Sequence, residues 1–141
     1  PLEEEGEIMS EVNKNNLDLI QLIAPTTNIE RAKKIVKNAS GFLYLISMLG
    51  ITGTKTANFN DNIENVKKLR EISKLPIALG FGIKTPEMAA EFCKLNIDSI
   101  VVGSTLVGEI AKMIKDQKKS DAIVEKITEI VAEFSKKIKN G

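Results

Sequence analysis

The chain has 141 residues, enough for one domain with a sizeable core, and its 20 basic and 19 acidic residues leave a net charge of only +1. That balance excludes a nucleic-acid footprint, and no apolar run is long enough to span a membrane. There is no His, which removes Ser–His catalysis and histidine metal sites. The single cysteine, Cys93, cannot form an internal disulfide and fits a reducing, cytoplasmic compartment.

No secretory signal opens the sequence. Pro1 runs directly into Glu3, Glu4 and Glu5, the residue types of a first helical turn. A helix over Leu2–Asn13 follows, with Ile8, Met9 and Val12 on one face. No strand precedes this helix, so the chain is expected to begin mid-fold. Leu17–Ala24 is an apolar run of strand length that Pro25 stops. Thr27, with Glu30 three residues on, has the spacing of a capping box, and Ile29, Ala32, Ile35 and Val36 form the stripe of the helix behind it. Phe42–Ser47 is the second strand. Met48–Asn60, rich in Gly and Thr and without periodicity, is expected to be a long loop of lid type. Asn60 or Asp61 then caps a helix with Ile63, Val66, Leu69 and Ile72 inward.

Pro76–Gly80 is the third strand. Thr85-Pro86-Glu87 places an N-cap, a first-turn proline and a first-turn acid in order, and the helix they start runs to about Leu95. On it Cys93, beside Ala89, Phe92 and Leu95, reads as a small buried hydrophobe. Ile97–Val102 is the fourth strand, and Asp98 at its start reads as a stability residue. Ser104–Lys115 is a short helix, with the lysine-rich Lys112–Lys119 stretch as a solvated end. Ser120–Lys139 is a long helix, carrying Ile123, Ile127, Ile130, Val131, Phe134 and Ile138 at helical spacing.

The strands recur roughly every 25 residues and alternate with amphipathic helices, the pattern of a parallel sheet covered by helices. Two architectures fit, an open doubly wound sheet or part of a (β/α)8 barrel. The last two strands carry the strongest local signals. Pro76–Gly82 (PIALGFG) and Asp98–Ser104 (DSIVVGS) each end an apolar run abruptly in Gly just before a helical pattern. Gly lets backbone N–H groups approach a ligand closely, and a helix N-terminus adds unpaired donors and partial positive charge. Two such corners side by side would make an anion pocket suited to phosphate. The short helix after the fourth strand favours the barrel, where phosphate often sits between the last two strand-end loops and such a helix. Four βα units make only half of a closed barrel.

Phe42–Gly53 (FLYLISMLGITG), Pro76–Thr85 (PIALGFGIKT) and Ser99–Ser104 (SIVVGS), with the opening PLEEE and Leu22–Pro25, stand in the order and spacing of the tryptophan synthase alpha subunit. The resemblance covers essentially the whole chain and matches the C-terminal half of that family. It implies one domain, residues 1–141, supplying strands five to eight of the barrel. It implies a lyase of tryptophan biosynthesis that cleaves indole-3-glycerol phosphate to indole and glyceraldehyde 3-phosphate by a retro-aldol reaction. No metal or organic cofactor is implied. The implied partners are a beta subunit, in an alpha2beta2 tetramer, and either the other half-barrel or a second copy of this chain. By resemblance, Gly53, Gly82, Gly103 and Ser104 hold the substrate phosphate, Tyr44 and Phe81 line the pocket, Thr52 lies on the lid, and Pro1 and its neighbours approach the beta subunit. The family's general acid/base pair, a Glu and an Asp, falls upstream of Pro1, so this chain alone is expected to be inactive. Met48 stands where relatives often carry a basic residue.

Each of these residues has a plainer reading. Gly80 and Gly82 could simply relieve crowding where strand meets loop, Ser104 could cap its helix, Tyr44 and Phe81 could be core aromatics, and Thr52 a turn residue. Lys84 reads as solvated.

Overall fold

The computed structural model describes residues 5–47 and 55–139. In chain order the elements are α1 (Glu5–Lys14), β1 (Gln21–Ile23), α2 (Ile29–Asn38), β2 (Leu43–Ile46), α3 (Lys55–Ile72), β3 (Ile77–Gly80), α4 (Pro86–Cys93), β4 (Ser99–Val101), α5 (Ser104–Lys115) and α6 (Ser120–Lys139). The strands form one parallel sheet in the order β1-β2-β3-β4. Leu22, Tyr44, Ala78 and Ser99 stand abreast across it, and Ile46, Gly80 and Val101 form the next such row.

That order decides between the two architectures. A doubly wound sheet reverses its strand order at a switch point. Here every crossover steps to the adjacent strand in the same direction. Crossovers of one hand that never reverse place all their helices on one face of the sheet. The core is accordingly one-sided. Ile23, Leu43, Leu45, Ile77 and Leu79 cluster with Ala32 and Ile35 of α2, Val66 and Leu69 of α3, Ala89 and Phe92 of α4, and Phe134 of α6. The alternate residues point the other way, since strand side chains alternate faces. On that face Leu22 is 59% exposed and Val101 37%. The fold is a curved half of a (β/α)8 barrel with its interior side uncovered.

Several local expectations needed revision. The first strand is confined to Gln21–Ile23. Leu19 instead donates its N–H to Ser40 Oγ at 2.9 Å and accepts from Ser40 N, and Leu17 is exposed. The chain thus reaches the sheet through the loop before β2, not through the ladder. The cap of α2 is Asn28, whose Oδ1 accepts from Arg31 N at 2.9 Å, while Thr27 Oγ1 accepts from Ala24 N. Each side-chain oxygen accepts from a backbone N–H three residues away, Asn28 from ahead of it inside the helix and Thr27 from behind it in the preceding turn, so Asn28 is the cap. Within the lid stretch, Lys55–Asn60 is helical, so Asn60 and Asp61 lie inside α3 and do not cap it. Tertiary packing explains this: Phe59 stacks on Phe92 with ring centroids 6.0 Å apart, and Asn62 is fully buried. Helix α4 stops at Cys93 with Lys94 at its C-cap. Met48–Thr54, which carries Thr52 and Gly53, lies outside the described residues, as do Pro1–Glu4. Cys93 is half-buried, and burial pushes its thiol up, so it stays protonated at neutral pH. No described helix is long and apolar enough to cross a membrane.

Asp98 ties the lower edge of the sheet. Its Oδ2 accepts from Ile77 N at 2.7 Å and from Arg70 Nη2 at 2.5 Å, while Arg70 also donates to the carbonyls of Asn96 and Leu75. The Ile77 amide first, and the Arg70 guanidinium second, hold the Asp98 carboxyl below the usual carboxylate range. A carboxyl lowered on folding stabilises the fold above its unfolded pKa of about 3.9, and that contribution fades as pH falls through the folded value. Urea midpoints of the wild-type chain should therefore exceed those of Asp98→Asn at pH 7. The gap should narrow steadily below about pH 4. A gap unchanged at pH 3 would mean that the carboxylate charge adds nothing here.

Candidate functional site

The carboxyl ends of β2, β3 and β4 lie side by side, because Ile46 pairs with Gly80 and Gly80 with Val101. Three of the residues singled out from sequence stand at these ends on described loops and helix starts: Phe81 and Gly82 after β3, and Gly103 after β4. Ser104 begins α5. Tyr44 sits one row below on β2, half-buried on the uncovered face.

The turn after β3 is built from two consecutive residues with positive φ, Phe81 at 82° and Gly82 at 73°. The second is ordinary for Gly. The first is unusual for an aromatic residue and costs on the order of 1–3 kcal/mol unless its surroundings hold it. The turn throws the Phe81 ring outward, where it is 69% exposed, and returns Ile83 to the core at 1%. Two side chains grip it. Ser47 Oγ donates to the Phe81 carbonyl, and Thr105 Oγ1, from the first turn of α5, donates to the Ile83 carbonyl at 3.1 Å. The Thr105 bond also binds the tip of β3 to the start of α5.

Gly80 is required on the strand for a different reason. A Cβ there would overlap the Tyr44 hydroxyl and lie 2.7 Å from Tyr44 Cζ and 3.0 Å from Val101 Cβ. The absent side chain gives the phenol room to lie across β3 toward β4. Gly82 and Gly80 therefore do separate jobs, one of conformation and one of space.

Helix α5 lacks the side-chain cap that α2 and α4 have. Asn28 caps α2 and Thr85 caps α4 through its Oγ1 and Met88 N, with Pro86 and Glu87 in the first turn as the sequence predicts. At α5 the N-cap position is Gly103, with no side-chain capping bond, so Ser104 is the first helical residue and does not cap. Among the described residues, the amides of Gly82, Gly103 and Ser104 donate to no backbone carbonyl. Gly103 has open space where a Cβ would stand, and both Gly103 and Ser104 are exposed. Unpaired donors at an uncapped helix start are suited to an anion. Two surface grooves lie elsewhere, one of about 240 Å³ between α2 and α3 and one of about 520 Å³ between α3 and α4, and neither includes these residues. On the sheet's inner face Leu22 and Val101 are exposed, while Ala78 on β3 is buried. Lys84 is exposed. Sequence reasoning gave Ser47 no role beyond its place in Phe42–Gly53 and passed over Thr105, since each binds a carbonyl distant in the chain.

A sequential parallel half-sheet with helices on one face and glycine-bearing carboxyl ends defines a βα-barrel chain. Its relatives agree. The family model described as tryptophan synthase alpha chain matches residues 1–139, and the chain belongs to that family. It is 35% identical over 141 residues to the tryptophan synthase alpha chain of Granulibacter bethesdensis, covering 100% of this chain and 50% of that one. Against the Rhodopirellula baltica protein of the same name it is 43% identical over 122 residues, covering 86% and 44%. Among solved structures, the alpha subunit from Campylobacter jejuni matches with TM-score 0.79 and 38% identity, over 92% of this chain and 50% of that one. The Legionella pneumophila alpha subunit matches with TM-score 0.82 and 29% identity, over 100% and 50%. The chain thus spans about half the length of the curated relatives it matches.

Proposed function

We propose that this chain supplies the phosphate-binding half of a lyase that cleaves indole-3-glycerol phosphate to indole and glyceraldehyde 3-phosphate. The observation that carries the reading is the Thr105 Oγ1 bond to the Ile83 carbonyl, which draws the tip of β3 against the start of α5. With the tips drawn together, the free amides of Gly82, Gly103 and Ser104 converge on one phosphate, and the Ser104 hydroxyl adds a fourth donor. Tyr44 and Phe81 flank the organic part of the substrate. The indole product passes to a beta subunit.

Retro-aldol cleavage needs one group to protonate the indole ring and another to take a proton from the glycerol chain. The resemblance puts the Glu and Asp that do this in the family outside these 141 residues, and on that reading the chain is expected to bind the phosphate without turning the substrate over. Incubated alone with indole-3-glycerol phosphate, it should release no indole above the uncatalysed background, as read by chromatography. Indole formed in proportion to enzyme would place the acid and base within this chain and overturn the half-site reading.

A second reading is favoured by the exposed Leu22 and Val101 on the uncovered face and the open edges at β1 and β4. Here the half-barrel assembles with a copy of itself, because unpaired edges template association. A monodisperse dimer on size-exclusion chromatography supports it, and a stable monomer counts against it.

A further inference from the structure

We propose that Ser47 is a positioning residue that fixes the direction in which the Gly82 amide points. The inference rests on the phosphate reading of this site. Ser47 is 4% exposed and follows the last residue of β2. It bonds two successive carbonyls of the neighbouring strand end: its N–H donates to Gly80 O at 2.7 Å and its Oγ donates to Phe81 O. The second bond matters most. The Phe81 carbonyl and the Gly82 N–H belong to one peptide unit, and no peptide bond described is cis. In a planar trans unit the C=O and N–H point in opposite directions. Holding the carbonyl toward β2 therefore turns the Gly82 N–H away from β2. Ser47 itself is buried, so the donor side of this bond is shielded from solvent although the Phe81 ring is exposed.

The backbone on both sides supports the assignment. Phe81 and Gly82 both have positive φ, and the peptide between them could flip if nothing held it. Thr105 holds the next carbonyl but one, that of Ile83, from the opposite side. Ser47 is the grip on the Phe81–Gly82 unit itself. It acts on a ligand only through that unit.

The test uses the 141-residue chain, inorganic phosphate as probe, and amide resonances as readout. Ser47→Ala should shift the Phe81 and Gly82 backbone resonances away from their left-handed values and weaken phosphate binding at least fivefold. Ser47→Thr, which keeps the hydroxyl, should stay within twofold of the wild type. Should Ser47→Ala fail to fold, Ser47→Cys, a weak donor, should bind phosphate less tightly than Ser47→Thr. A Ser47→Ala chain with wild-type turn resonances and wild-type affinity would overturn the proposal. If the wild type binds no phosphate, the functional reading falls, and the turn resonances of Ser47→Ala alone decide the role of Ser47: a shift sustains it and no shift ends it.

Discussion

Leu79→Ala should destabilise the chain by about 2–5 kcal/mol, the range for emptying a fully buried leucine site. Leu79 is wholly buried on β3, whose four residues are all buried, and it stands between Leu45 and Ile100 in register. With two strands fixed beside it and helices packed above it, the cavity has little room to collapse. Domains of this kind hold only about 5–15 kcal/mol in total, so a large share of the fold's stability rests on this site. The informative control is Leu22→Ala on the uncovered face. Leu22 is 59% exposed, and its loss should change the urea midpoint by no more than about 0.5 kcal/mol of stability. Equal costs at the two positions would mean that both faces of the sheet are covered in solution, by a second copy or otherwise. Tyrosine fluorescence can follow the unfolding, because Tyr44 is the one tyrosine and there is no Trp.

Ser104→Asp separates binding from folding. Ser104 is the first residue of α5, at an end with no side-chain cap. A carboxylate there faces the positive end of the helix and should add about 0.3–1 kcal/mol of stability. The same charge would repel a phosphate about 4 Å away by roughly 4 kcal/mol at an effective dielectric near 20. Ser104 is exposed, so solvent screens much of that. What remains should still weaken phosphate binding by tenfold or more, about 1.4 kcal/mol. A more stable chain that binds phosphate as before would remove Ser104 from the site.

How much of this was readable in the residues differs from one element to the next. Helices α5 and α6 begin and end where their periodicity predicts, and the Thr85-Pro86-Glu87 start is present as written. The signals that succeeded are local. Those that failed depend on distant partners. The start of α3 hides behind Asn60 and Asp61, which imitate a cap, because Phe59 finds Phe92 only in the folded chain. β1 shrinks because Leu19 bonds Ser40, a residue 21 positions away. At the site, glycines marked the strand ends, yet the positive φ of Phe81 is invisible in an aromatic residue. The hydroxyls of Ser47 and Thr105 that hold the turn reach across 34 and 22 residues of chain. No spacing within one element could reveal such bonds.

The account's central claim is that free amides at neighbouring strand ends share one phosphate. Titration of the isotope-labelled chain with inorganic phosphate tests it most directly. The amides of Gly82, Gly103 and Ser104 should move together along one saturable curve, while those at the capped starts of α2 and α4 stay in place. Shifts of equal size at all three helix starts, or none that saturate at Gly82 and Ser104, would contradict it.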